Sequence, residues 1–200
     1  MTADMVLGHL FIVLVSVVLT IIVGVPLGVC AYFFTGVRKI ILGVVEILQT
    51  IPAMALLGVI MVFLGAGKST VILGLLLYSL LPVVQNTYVG LSEVDPAIKE
   101  VATGMGMTRI YQLIHVELPI AFPLIFTGIR ISTVTAVGVA VFGAFVGGGG
   151  LGSVIYRGIR IQNMRLILTS TFALMAMAIV FDVVMAMIER RLQGRVSARR

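Results

Sequence analysis

Long apolar runs broken by short polar stretches set the pattern of this chain. Met5 to Val37 holds no Asp, Glu, Lys or Arg, and neither do Ile47 to Gly67, Ser69 to Ser92 or Ile131 to Tyr156. A helix needs roughly 20 apolar residues to cross a hydrocarbon layer about 30 Å thick. The pattern therefore predicts an all-α, polytopic membrane protein with about five transmembrane helices. They fall near 7–34, 40–64, 70–90, 121–146 and 166–188. One transmembrane domain occupies 1–200, and loop 91–120 is its main polar interruption. Neither a soluble domain nor a clear internal repeat is visible. No inverted pair of broken helices is visible either, which weakens a secondary-carrier reading.

Composition sharpens the class. Hydrophobic residues make up 60% of the chain and charged residues 11%, against about 25% charged in soluble domains. Lys and Arg total 14 against 8 acids. One arrangement of the spans gathers Arg38, Lys39, Lys99, Arg109, Arg190, Arg191, Arg195, Arg199 and Arg200 on one side. It leaves Lys68, Arg157, Arg160 and Arg165 on the other. The positive-inside rule then puts the N-terminus outside, and loop 91–120 and the C-terminus in the cytoplasm. Nucleic-acid binding is not indicated, because no basic patch with interleaved aromatics lies outside the spans. Cys30 is the single cysteine and reads as a residue packed in a membrane helix. His9 and His115 are isolated, so no metal site is expected. Gly65-Ala66-Gly67-Lys68-Ser69 resembles the end of a phosphate-binding loop. Val62 stands where such a loop needs glycine, and a tight turn between spans is the better reading.

Charges near or within spans are costly and often functional. Glu46, Arg130 and Asp182 could share one depth, and Arg130 is expected to pair with Asp182 or Glu46. Separate snorkelling is the alternative. Pro52 interrupts helical hydrogen bonding in mid-span, which makes Gln49, Thr50 and Pro52 candidates to line a path. Ordinary packing tolerates the same proline.

The polar island has its own order. Asp95-Pro96 is a helix start, with Asp as cap and proline in the first turn. Ile98, Val101, Ala102 and Met105 then form an apolar stripe. Such a stripe needs a partner, unless it packs on the protein's own helices or on lipid headgroups. Gly104 and Gly106 permit a sharp turn. A second helix is expected from about Thr108 to Val116, with Leu118-Pro119 opening the fourth span.

The spacing Glu100-Val101-Ala102, three residues, Gly106, nine residues, Val116-Glu117-Leu118-Pro119 resembles the cytoplasmic loop motif of ABC importer permeases. That motif reads Glu-Ala-Ala, three residues, Gly, nine residues, Ile, one residue, Leu-Pro. This copy departs from it at Val101 and Val116, both still apolar. The resemblance implies a type I ABC importer permease fold, with Glu100, Ala102, Gly106, Leu118 and Pro119 coupling the loop to separate ATPase subunits. ATP and Mg would bind those partners, with no cofactor in this chain and no catalysis of its own.

Further segments resemble the osmoprotectant permeases that take up glycine betaine, carnitine, choline or proline betaine. They are Leu48-Gln49-Thr50-Ile51-Pro52, Tyr78-Ser79-Leu80-Leu81-Pro82 with Asn86-Thr87-Tyr88-Val89-Gly90, and Gly147 to Gly152 with Ile155 to Ile159. Family members often carry Arg where Gln85 stands. The resemblance covers about 40 to 200. It implies path roles for Asn86 and Thr87. Gly148, Gly149, Gly150, Leu151 and Gly152 are a candidate outer gate or binding-protein contact, with a plain loop as the alternative. The implied partners are ATPase subunits, an extracytoplasmic substrate-binding protein, a second permease subunit and the lipid bilayer. The chain ends at Arg200, so the binding domain is expected on another protein. Trp gives the strongest face for quaternary ammonium groups, and the chain has none. High-affinity recognition is accordingly expected on the external protein. The nearest rival is a permease for another small solute such as an amino acid. An intramembrane enzyme would need more facing acids, His or Cys than this chain supplies, and a channel or solitary carrier would act without ATP.

Overall fold

The computed structural model describes residues 3–197, with side chains to 191, so Arg199 and Arg200 of the basic C-terminal group lie outside it. The described chain is helical throughout, in the order α1 (Ala3–Phe33), α2 (Thr35–Thr50), α3 (Ala53–Leu64), α4 (Lys68–Ser92), α5 (Pro96–Gly104), α6 (Arg109–Gln112), α7 (Leu118–Val139), α8 (Gly150–Arg160) and α9 (Met164–Ser197). Four helical runs are long and apolar enough to cross a membrane, and a bent pair makes up to five. The protein is thus a multi-pass membrane protein.

α4 lies at the centre, packed on α1 along one side and on α7 along the other, with α9 on α7 and α8. Small residues allow these close crossings, as is usual between membrane helices. A Cβ on Gly28 of α1 would meet the Thr87 side chain and the Val84 carbonyl oxygen at 2.8 Å or less. On the other side of α4, a Cβ on Gly128 of α7 would overlap the Pro82 carbonyl. Ile12, Val13, Val71, Leu75, Ala136 and Val137 form the core where α1, α4 and α7 meet.

Three elements differ from the sequence expectation. The second span is not one kinked helix: α2 and α3 meet at 102°. Ile51, ahead of Pro52, takes extended angles (φ −68°, ψ 129°), as a residue before proline prefers. With 16 and 12 residues, neither half alone covers a hydrocarbon core at 1.5 Å per residue.

The fourth span begins earlier than Leu118. Helical structure runs from Arg109 to Val146 without a gap. Leu113 to Glu117 form a π-turn, in which the Leu118 amide donates to the Leu113 carbonyl five residues back. This wider turn lets the helix absorb Pro119, which has no amide hydrogen to donate. The second loop helix and the fourth span are therefore one element. Its far end tightens to 3-10 geometry over Ala140–Val146.

The segment after that span is not a plain connection, because it contains α8. Gly148, Leu151 and Gly152 are buried. A Cβ on Gly152 would strike the Val141 carbonyl, and one on Gly148 would strike Val71. Glycine there lets the chain fold flat against the bundle, and α8 follows with Leu151 and Val154 inward.

Candidate functional site

Loop 93–117 is held by three sets of interactions. Asp95 caps α5, its carboxylate accepting from the Ala97 amide at 2.8 Å. Thr108 caps α6 by accepting from the Tyr111 amide. Between them the chain reverses at Gly106, whose φ of +80° favours glycine. The surroundings of a Gly106 Cβ are open, so the need for glycine is conformational. Gln112 is buried and joins the two helices, donating to the Lys99 carbonyl and accepting from Thr103.

The third set ties the loop to the bundle. Arg109 donates to Glu117 at 3.0 Å and to the Tyr32 hydroxyl at 3.1 Å. Its guanidinium also lies 5.3 Å from the Tyr32 ring centre and 5.1 Å from that of Phe33. Lys99 on α5 approaches the same anchor, 5.1 Å from the Tyr32 ring, while donating to the Leu91 carbonyl. Glu117 is fully buried, and its Oε2 has no hydrogen-bond partner. Tyr32 and Phe33 end α1, so both loop helices rest on the Tyr32 ring, and α6 reaches Phe33 as well.

This bracing divides the apolar stripe. Ala102 is buried and Ile98 half-buried. Val101 (64%), Met105 (71%) and Ile110 (68%) are exposed instead, with Tyr111 and Ile114 beside them. Of the coupling candidates, Glu100, Gly106 and Pro119 are exposed, Ala102 is buried and Leu118 is half-buried. A loop tip with an apolar surface and a rigid base can receive a protein partner and pass its movement to α1 and α7.

The five path candidates do not form one surface. Thr50 and Pro52 are exposed at the break between α2 and α3, with Gln49 half-buried beside them. Asn86 packs near Gly128 on the α7 side and donates to the Pro82 carbonyl. Thr87 is buried against Gly28 on the α1 side and donates to the Val83 carbonyl. In the Gly148 to Gly152 segment, Gly149 and Gly150 are half-buried, and Gly150 sits against His9.

Arg130 on α7 pairs with Asp182 on α9 at 2.8 Å. Glu46 does not join them: it is exposed on α2, and no ion pair to it occurs among the described residues. α2 packs on α4 and α1, away from the α7–α9 seam. The third member is Glu189, 2.9 Å from Arg130 and bonded to Thr127. Glu189 lies seven residues after Asp182, so the two acids share one face of α9. That spacing was the available signal for Glu189. For Glu117 it was an acid set between Val116 and Leu118 at the entrance to a span.

The comparisons agree with this architecture. Residues 16–196 match the family described as binding-protein-dependent transport system inner membrane component. The chain is 40% identical over 185 residues to the glycine betaine/carnitine/choline transport system permease protein OpuCD of Bacillus subtilis, covering 92% of this chain and 81% of that one. It is 41% identical to the carnitine transport permease protein OpuCD of Listeria monocytogenes, covering 92% and 83%. The osmoprotectant import permease protein OsmW of Salmonella typhimurium is 37% identical, covering 90% and 86%. Among solved structures, a chain of the MetNI methionine ABC transporter in an inward-facing conformation superposes with a TM-score of 0.86 at 24% identity, over 94% of each chain. At that identity the likeness concerns the fold. A match over residues 16–196 and relatives near 40% identity carry the assignment: the chain belongs to the family of binding-protein-dependent transport system inner membrane components.

Proposed function

We propose that this chain is the membrane permease of an ATP-driven importer of compatible solutes, quaternary ammonium osmoprotectants such as glycine betaine, carnitine and choline. The substrate class is taken from what its relatives are named for. The observation that carries the mechanism is the exposed apolar tip of Val101, Met105 and Ile110, set on a base fixed to α1 and α7.

In this reading the N-terminus is outside, and loop 91–119 and the C-terminus are cytoplasmic. The tip docks on an ATPase subunit, which binds ATP and Mg. Closure of two ATPase subunits moves the loops, and the spans pass from inward-open to outward-open. An external binding protein then delivers solute to a path completed by a second permease subunit. Glu100, Ala102, Gly106, Leu118 and Pro119 shape the docking loop. Gln49, Thr50, Pro52, Asn86 and Thr87 are the proposed path residues. The Gly148 to Gly152 turn is the proposed outer contact.

The test is uptake of labelled glycine betaine, carnitine and choline by cells lacking their own osmolyte importers. The cells express this chain with its ATPase and binding protein, as wild type or Gly106→Glu. Uptake that depends on ATP and is lost in the variant, with the protein still in the membrane, is the expected result. Uptake of none of the three by an assembled complex would remove the substrate class. Uptake indifferent to Gly106→Glu would remove the docking role.

A further inference from the structure

A pocket of about 310 Å³ opens between α7 and α9, lined by Thr127, Arg130, Ile131, Val134, Thr135 and Asp182. Among the described residues its charges do not balance. Arg130 contributes one positive charge, and Asp182 and Glu189 contribute one negative charge each. Arg130 spends Nε on Asp182 and Nη1 on Glu189. Glu189 also accepts from Thr127. Asp182 has only the one bond to Arg130 among the described residues, and its side chain is 46% exposed.

Depth makes this exposure informative. Asp182 is eight residues before Arg190, about 12 Å along the helix. Taking Arg190 and Arg191 to mark the membrane surface, Asp182 lies well inside a hydrocarbon layer about 30 Å thick, while Glu189, one residue before Arg190, lies at its edge. Hydrocarbon does not tolerate a half-exposed carboxylate in a net-negative cluster, and such residues normally face a watery cavity or other protein. The two threonines on the same wall are also polar. The pocket therefore faces water or another protein surface rather than lipid chains.

We infer that the Arg130, Asp182 and Glu189 cluster forms a cation station on the water-filled translocation path, receiving the quaternary ammonium head of the solute beside Asp182. The station rests on the importer reading above and places a substrate contact within it. A net negative charge in a low-dielectric cleft concentrates cations by about 10-fold to 10³-fold. The pocket contains no aromatic ring, so attraction comes from charge rather than from an aromatic cage. Solute would be drawn without being held tightly, as a path requires.

Cysteine accessibility tests this directly, because Cys30 is the only native cysteine. Ile131→Cys and Thr135→Cys are each placed in a Cys30→Ser chain, within membrane vesicles holding the whole importer. Each is treated with a trimethylammonium methanethiosulfonate and with a sulfonate methanethiosulfonate. Rates are divided by those for a free thiol. The cationic reagent should react about 10-fold or more faster than the anionic one. Asp182→Asn, which keeps the Arg130–Glu189 pair, should abolish most of that preference. Choline should slow the cationic reaction. Val18→Cys, on the exposed face of α1, should react with neither.

No reaction at either pocket position with either reagent would mean lipid or a second subunit seals the pocket, and would overturn the station. So would equal normalised rates for the two reagents, or a preference that survives Asp182→Asn. A preference that choline fails to slow would overturn the quaternary ammonium ligand. The readout does not depend on uptake. A charge preference slowed by choline in an importer that takes up no osmoprotectant would remove the transport reading and overturn the station as a substrate contact, leaving a cation-binding pocket.

Discussion

Replacing Arg109 with Gln should strand the carboxylate that anchors the loop. Glu117 is fully buried, Oε1 holds the 3.0 Å pair with Arg109, and Oε2 is already without a partner. Removing one member of a buried pair costs about 3–5 kcal/mol, because the other charge stays buried. Arg109 is itself 51% exposed, so water can enter its vacated place and the low end applies, about 3 kcal/mol. Adding Glu117→Gln removes the stranded charge, and the double variant should sit within about 1 kcal/mol of wild type. The double-mutant cycle then returns a coupling of about 2 kcal/mol or more. Thermal unfolding of the purified chain in detergent measures it. About 2–4 °C per kcal/mol is the scale for a chain of this size. Arg109→Gln should melt about 6–12 °C below wild type and the double variant within about 4 °C of it. A double variant that melts as low as Arg109→Gln would refute the buried-pair argument.

Other substitutions separate loop shape from loop stability. Gly106→Ala should cost about 1 kcal/mol, since a Cβ there meets open space and only the positive φ is strained; a larger loss in the same melting assay would mean the turn is packed. Val101→Asp in the exposed tip should leave melting within about 0.5 kcal/mol of wild type but weaken ATPase association, read by co-purification. Undiminished co-purification would remove the tip as the docking surface. Asp95→Ala should lose about 1 kcal/mol with the α5 cap, seen as faster amide exchange over 97–99. Gly128→Val should be the most damaging of this group, by about 2 kcal/mol or more, because its Cβ would overlap the Pro82 carbonyl; retained melting temperature would show that α4 and α7 can part.

Much of the fold was written locally. Apolar runs longer than a bilayer is thick determine a membrane class whatever the packing, which is why α1, α4 and α9 fall where the pattern put them. The Asp95 cap and the reversal at Gly106 depend on residues within a few positions, so their sequence was sufficient. The Arg130–Asp182 pair was legible because depth in a membrane can be counted from helix ends. Tertiary structure decided what depends on direction and neighbours. Pro52 announced a break, but the 102° between α2 and α3 belongs to their separate packing against α4. Pro119 looked like a helix start, and a π-turn made it an interior residue. Glu46 and Glu189 are both acids near a span end, and only the α7–α9 contact selects Glu189. The anchoring of Arg109 on Tyr32, 77 residues away, was beyond any local pattern, because only folding brings the end of α1 beneath the loop.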